Sequence, residues 1–341
     1  MKEVQFGGGY YAAYEPEAVK MAKRPLSPRE TFLYDLLKKH DKELQSRVER
    51  TFKQWNLIIR DYLRSETGLR LTVGEDHQAI PVRVLIGLPP PFLQLVNEIE
   101  DAAWRLYFHR SLLETGARAL EMIDLDFHGL LNWEPLRPPP AEQNEIRRAK
   151  NFIDKLLKLL ELLKLEEKIR TINQDILGAY FYNVPEIHLY WMVIGLIAVV
   201  LNVSVESLAF VVATHELAHA YTHMGRDIDG QRWDTPSFAR TDIRIVEGMA
   251  QFYAQVICEK LEDRIPDAKK AYDLLLERQP DPYSAQKSWV SQDAAGGEIV
   301  RVSMIECRSN RIQDYAKFRE TIERYREQIR RVNRLAKQSN H

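Results

Sequence analysis

His215 and His219 stand four residues apart with Glu216 directly after the first, in the run Val212-Ala213-Thr214-His215-Glu216-Leu217-Ala218-His219-Ala220-Tyr221. On an α-helix, residues i and i+4 lie one above the other on the same face, so both imidazoles can reach a single cation. Glu216 is offset by roughly 100° around the helix. From there its carboxylate can address a water without taking a coordination position, which is the place of a general base. The run carries no charge apart from Glu216, the pattern of a buried helix rather than a solvated one. A carboxylate and two imidazoles in apolar surroundings are costly without partners, and a divalent cation partners all three. The competing reading is a core helix with two hydrogen-bonded histidines.

A catalytic zinc takes three protein ligands and leaves one position open. The candidate for the third is Glu247, in a second run, Ile243 to Ala254, whose only charges are Arg244 and Glu247. Gly248 and Ala250 beside it would allow this helix to approach the first closely. Asp227, Asp229, Asp234 and Asp242 in the intervening segment are rival ligands, although turn and cap roles are preferred for them. His223 continues the i, i+4 series, but the drift of about 40° per step turns its ring partly away from the metal. It is a substrate-side candidate.

H-E-x-x-H followed by a glutamate on a second helix resembles the gluzincin branch of the zincin metallopeptidases, over roughly residues 178–258. The resemblance implies one Zn²⁺ held by His215, His219 and Glu247, with Glu216 as the base that moves a proton from water to the leaving amine. Glu247 follows His219 by 28 positions, a wider gap than in thermolysin-like members, so an additional loop is expected at 225–241 as a rim of the cleft. Gln251 stands where many gluzincins carry an aspartate bonded to a ligating histidine. Metzincin-like continuation is excluded, because Thr222 and Gly225 occupy its glycine and third-ligand positions. Oxyanion donors remain open among Tyr182, Tyr190, Tyr221, Tyr253 and His223.

These residues need a scaffold: the patterning predicts an α+β fold, predominantly helical, and the resemblance implies a zincin-like core of a small sheet, an active-site helix and a glutamate helix. Residues 1–30 read as irregular, with Ser27-Pro28-Arg29-Glu30 opening amphipathic helices over 29–66. Alternation in 69–73 and 80–86 predicts a hairpin at 69–86. Helices follow at about 91–122, Pro135 and Pro138-Pro139-Pro140 mark a linker, and a Leu-rich helix spans 141–173. Gly178–Tyr182 and Glu186–Tyr190 flank the turn Asn183-Val184-Pro185 and predict a second hairpin, which by the resemblance supplies the sheet edge that holds substrate. Glu298–Ile305 alternates like a strand, and a terminal helix from about 310 to 336 ends in a basic run. The expected division is a mostly helical region at 1–140 and a metallopeptidase domain at 141–341.

The chain has 341 residues, 45% hydrophobic and 28% charged, and a net charge of −1. It can bury a sizeable core, and it offers no global field for nucleic acid or membrane. Two cysteines are too few for a disulfide framework, and Met1–Gly9 has no apolar signal core, so the cytoplasm is the expected compartment. Ile187–Leu201 is apolar but shorter than the roughly 20 residues a membrane-spanning helix needs. The function expected is a soluble zinc-dependent peptidase acting on a specific peptide or protein partner. The alternative is a regulatory or interaction protein with a structural, non-catalytic metal site.

Overall fold

The computed structural model describes residues 25–71, 80–89, 92–93, 177–279, 281–289 and 295–339. One compact unit is formed by 1–89 with 173–341, and a second by 90–172. The expected helices at 91–122, apart from 92–93, and at 141–173, the proline linker and the boundary at 140 lie outside the described residues.

Helix α1 (Pro28–His40) opens with the capping box that its sequence announces: the Ser27 hydroxyl accepts from the Glu30 amide while the Glu30 side chain returns to the Ser27 backbone. Helix α2 (Leu44–Thr67) buries Leu44, Val48, Thr51, Trp55, Ile59, Leu63 and Thr67, a stripe at three- and four-residue spacing, and stops at Gly68 with φ 70°. The sheet has the order β1 (Val82–Leu85), β3 (Glu186–Tyr190), β2 (Gly178–Phe181). β2 and β3 form the expected hairpin, antiparallel with Gly178 opposite Leu189.

The turn of the hairpin expected at 69–86 lies outside the described residues. β1 pairs in parallel with β3, Val82 opposite Ile187, and Arg70 makes an isolated bridge to Arg226. Alternation identifies strand residues but carries no information on the partner, and here the partner lies a hundred residues away along the chain. Among the described residues the fold is α+β, mostly helical, with one mixed three-stranded sheet.

From β3 the chain runs straight into α3 (Trp191–Leu201) and then α4 (Val205–Met224), the latter started by the Ser204 side chain accepting from the Ser207 amide. α4 is buried on all sides from Ser207 to His223, as its missing charges require. α2, α3, the hairpin and the later helices α6 (Ile243–Lys260) and α7 (Ala268–Leu276) all pack on it. Its only carboxylate near the start, Glu206, accepts from Nε and Nη2 of Arg47 on α2, each at 2.7 Å. Between α4 and α6 lies the short helix α5 (Thr235–Arg240), capped by Asp234. A 3-10 segment, Asp281–Ser288, packs along α6.

Residues 298–305 are helical rather than extended, within α8 (Gly296–Ser309). Ile299, Val300, Ser303, Met304 and Cys307 are buried, a stripe at helical spacing that eight residues of apparent alternation could not separate from a strand. On the terminal helix α9 (Tyr315–Ser339) Arg324, Arg330, Arg331 and Arg334 of the basic run are exposed and Arg326 is buried. Arg324 pairs with Glu306, and buried Arg326 pairs with Glu323 and donates to the Trp289 carbonyl at 2.6 Å.

Gly248 opens α6 to Trp289, not to α4: a Cβ there would lie 2.3 Å from the Trp289 ring. Gly248→Ala should therefore cost about 1–3 kcal/mol, read as a lower midpoint in urea unfolding. Gly297→Ala, where a Cβ meets nothing within 4 Å, should leave the midpoint unchanged or raise it.

Candidate metal centre

α4 and α6 bring His215, His219 and Glu247 together. Glu247 Oε2 lies 3.3 Å from Nε2 of each histidine, and the two Nε2 atoms are 3.0 Å apart. Donor atoms about 2.0–2.1 Å from a tetrahedral zinc would be roughly 3.3–3.4 Å from one another. The triangle therefore has the size a single small cation requires, and the two imidazole planes stand at 89°, so their lone pairs converge from different directions. Among the described residues this is the one group of three or more such side chains that could hold a metal ion.

The centre is nearly closed to solvent, with exposures of 6% for His215, 1% for Glu216, 3% for His219 and 0% for Glu247. Burial by itself would raise the Glu247 carboxyl, but the adjacent His219 and His215 outweigh it and hold the group well below the ordinary carboxylate range. It is present as the anion that ligation needs.

Glu216 sits beneath β2. A Cβ on Gly178 would fall 2.8 Å from Glu216 Oε1 and 2.9 Å from its Cγ, so only glycine lets the strand backbone lie against the carboxylate. Tyr190, at the end of β3, is pushed up in pKa by burial and then by the negative charge of Glu216. Gly178 was legible in the sequence only as a strand residue, since nothing local shows what its missing side chain accommodates.

The other candidates are placed differently. The Tyr221 hydroxyl donates to the Arg60 carbonyl on α2 (2.9 Å), and the Tyr253 hydroxyl to Met304 Sδ (3.6 Å). Neither hydroxyl is directed at the triad. Gln251 donates its amide to Gln279 Oε1 at 2.8 Å, and the His215 Nδ1 is buried with no hydrogen-bond partner among the described residues.

His223 is a structural clamp. Its Nδ1 bonds the Tyr180 hydroxyl on β2 at 2.9 Å, its Nε2 the Thr235 hydroxyl on α5 at 3.1 Å, and its ring stacks on Phe238 at 4.4 Å. Tyr182 packs edge-on against the same His223 and Phe238 rings.

The aspartates serve the backbone: Asp234 caps α5, Asp242 caps α6, and Asp227 accepts from the amides of Asp229 and Gln231. The expected rim at 225–241 is thus a tied-down segment. Arg308, whose burial brings it down to about 10, holds the carbonyls of Gly225 and Gln231. The residue that sequence reasoning passed over is Tyr283, whose ring stacks on His215; its signal was one tyrosine in a polar stretch.

Comparison with protein-family models, curated proteins and solved structures finds no match for this chain. Among the described residues no helix is long and apolar enough to cross a membrane.

His215→Ala, His219→Ala and Glu247→Ala should each strip metal from the purified protein, measured by elemental analysis. Asp234→Ala and Asp242→Ala should keep it while losing about 1 kcal/mol of stability through their caps. Full metal retention in Glu247→Ala would remove it from the ligand set.

His223 supplies a pH prediction. Burial, aided by the charges of Arg232 and Arg308, lowers it from 6.5 to about 3. The unfolded chain binds a proton there that the folded chain refuses. Its contribution to stability is complete above pH 6.5 and declines as pH falls toward 3, by up to about 1.4 kcal/mol per pH unit. Urea unfolding from pH 7 to 5 should show a shallower pH slope in His223→Gln than in the unchanged chain.

Proposed function

We propose that the chain is a zinc-dependent peptidase of the gluzincin kind, acting on a selected protein or peptide. The observation that carries the reading is the pairing of a three-donor site with a fourth buried group, Glu216, packed against the face of β2 at Gly178. A site that holds metal for structure alone closes with four protein ligands and needs no carboxylate beside it.

A zinc ion bound by His215, His219 and Glu247 would polarise a scissile carbonyl and acidify the attacking water. Glu216 is the group positioned to accept that water's proton and return it to the leaving nitrogen. β2 stands at the end of the strand order β1-β3-β2, and on this reading an extended peptide would be held as an added strand of the sheet. Gly178 would bring that peptide's backbone alongside Glu216, since no side chain separates the strand from the carboxylate. The clamp from His223 to Tyr180 fixes the strand's height above α4.

The near-complete burial of the triad supports narrow selection over general digestion, because a substrate must fit a confined approach.

Glu216→Gln keeps the shape and removes the base. It should retain metal and fold while losing most hydrolysis, about 100-fold or more, assayed by mass spectrometry of new protein termini in cells that carry the unchanged or substituted chain. New termini that persist in Glu216→Gln would sink the mechanism. A cellular phenotype that persists without any termini in either chain would point to the structural metal site instead.

A further inference from the structure

A metal-bound histidine normally donates its remote ring nitrogen to a carboxylate, carbonyl or water, which fixes the tautomer and the rotation of the ring. His215 lacks this: Nδ1 is buried and has no hydrogen-bond partner among the described residues. What meets the ring is Tyr283. The two ring centroids are 6.3 Å apart and the planes only 26° from parallel, within the range of offset stacking.

Tyr283 is itself held firmly. It belongs to the 3-10 segment Asp281–Ser288 and is buried. Three residues on, the Gln286 amide donates to the Tyr272 hydroxyl at 3.0 Å, and that hydroxyl donates to the Gln251 carbonyl of α6 at 3.1 Å. At the end of the segment Trp289 fills the notch left by Gly248 of α6, and its indole nitrogen donates to the Tyr315 hydroxyl at 3.2 Å. Arg326 holds its carbonyl. Two of these anchors are on α6, the helix that carries Glu247, so the segment sets the Tyr283 ring in register with the third donor.

We infer that Tyr283 is a positioning residue: its ring holds the His215 imidazole in the ligating orientation, the task that a hydrogen bond to Nδ1 performs elsewhere. The inference rests on the metal-site reading above. It concerns affinity for the ion and needs no knowledge of a substrate.

The test uses the purified full chain, with zinc affinity measured by competition against a chromophoric chelator and ligand geometry by the visible spectrum of the cobalt(II)-loaded protein. Tyr283→Phe, which keeps the ring, should match the unchanged chain to within about threefold and keep the spectrum. Tyr283→Leu should bind zinc about 10–100-fold more weakly and alter the cobalt bands; Tyr283→Met replaces it if the leucine chain does not fold. Unaltered affinity and spectrum in the non-aromatic variants would overturn the inference, as would an equal loss in Tyr283→Phe. An unchanged chain that binds neither ion sinks the metal-site reading along with it, whereas one that binds both while Tyr283→Leu binds equally well sinks this inference alone.

Discussion

The structure turns on a helix that is buried all round and yet carries polar groups that cannot be left alone. α4 runs through the middle of the described fold, and His215, Glu216, His219 and His223 face neighbours, not water. An unpartnered imidazole or carboxylate in such a place costs more than a typical hydrogen bond contributes, so the elements around α4 are disposed to answer these groups. Glu247 arrives from α6 between two of the histidines, β2 is pared to glycine where it crosses Glu216, and β2 and α5 each give a hydroxyl to His223.

These answers come from opposite ends of the chain. α2 covers one flank of α4, anchored by Arg47 on Glu206 and by Trp55 edge-on to Phe210. The C-terminal helices approach from elsewhere: Arg308 on α8 grips the backbone just past the end of α4, and Arg326 on α9 grips Trp289. Both guanidinium groups are buried. A buried cation bound to a carbonyl contributes little net stability, but its desolvation makes alternative placements costly. The His215–His219–Glu247 group, which could hold a metal ion, is thus enclosed by a frame that resists small displacements, the property that donor atoms about 3 Å apart would need to share one ion.

The two alternating segments show where sequence reading works. Both 69–86 and 178–190 have alternating runs around a turn signal; the second closes on itself, while the turn of the first lies outside the described residues. The second has a short Asn-Val-Pro turn that brings its arms together locally. The strand of the first found its partner in β3, and that choice belongs to the packing of α2 and α4 beneath the sheet. Glu298–Ile305 failed for a related reason: over two turns, the burial stripe of a helix and the alternation of a strand share several positions, and contact with α9 decided between them.

What the sequence determined by itself is the part of the site written along one helix. The i, i+4 spacing of the histidines, the adjacent glutamate and the missing surface charge all follow from helical geometry, which needs no knowledge of the rest of the chain. Glu247 was legible one step less directly, because a lone carboxylate in an uncharged run has to be answered by something. Tertiary structure alone decided that Gly178 lies over Glu216, that His223 is a clamp, that Tyr221 and Tyr253 turn their hydroxyls elsewhere, and that Tyr283 stacks on His215. Each of these depends on which residue, distant in sequence, occupies the space beside a given side chain. Local patterning fixes which face of an element is buried, and it leaves open what that face meets.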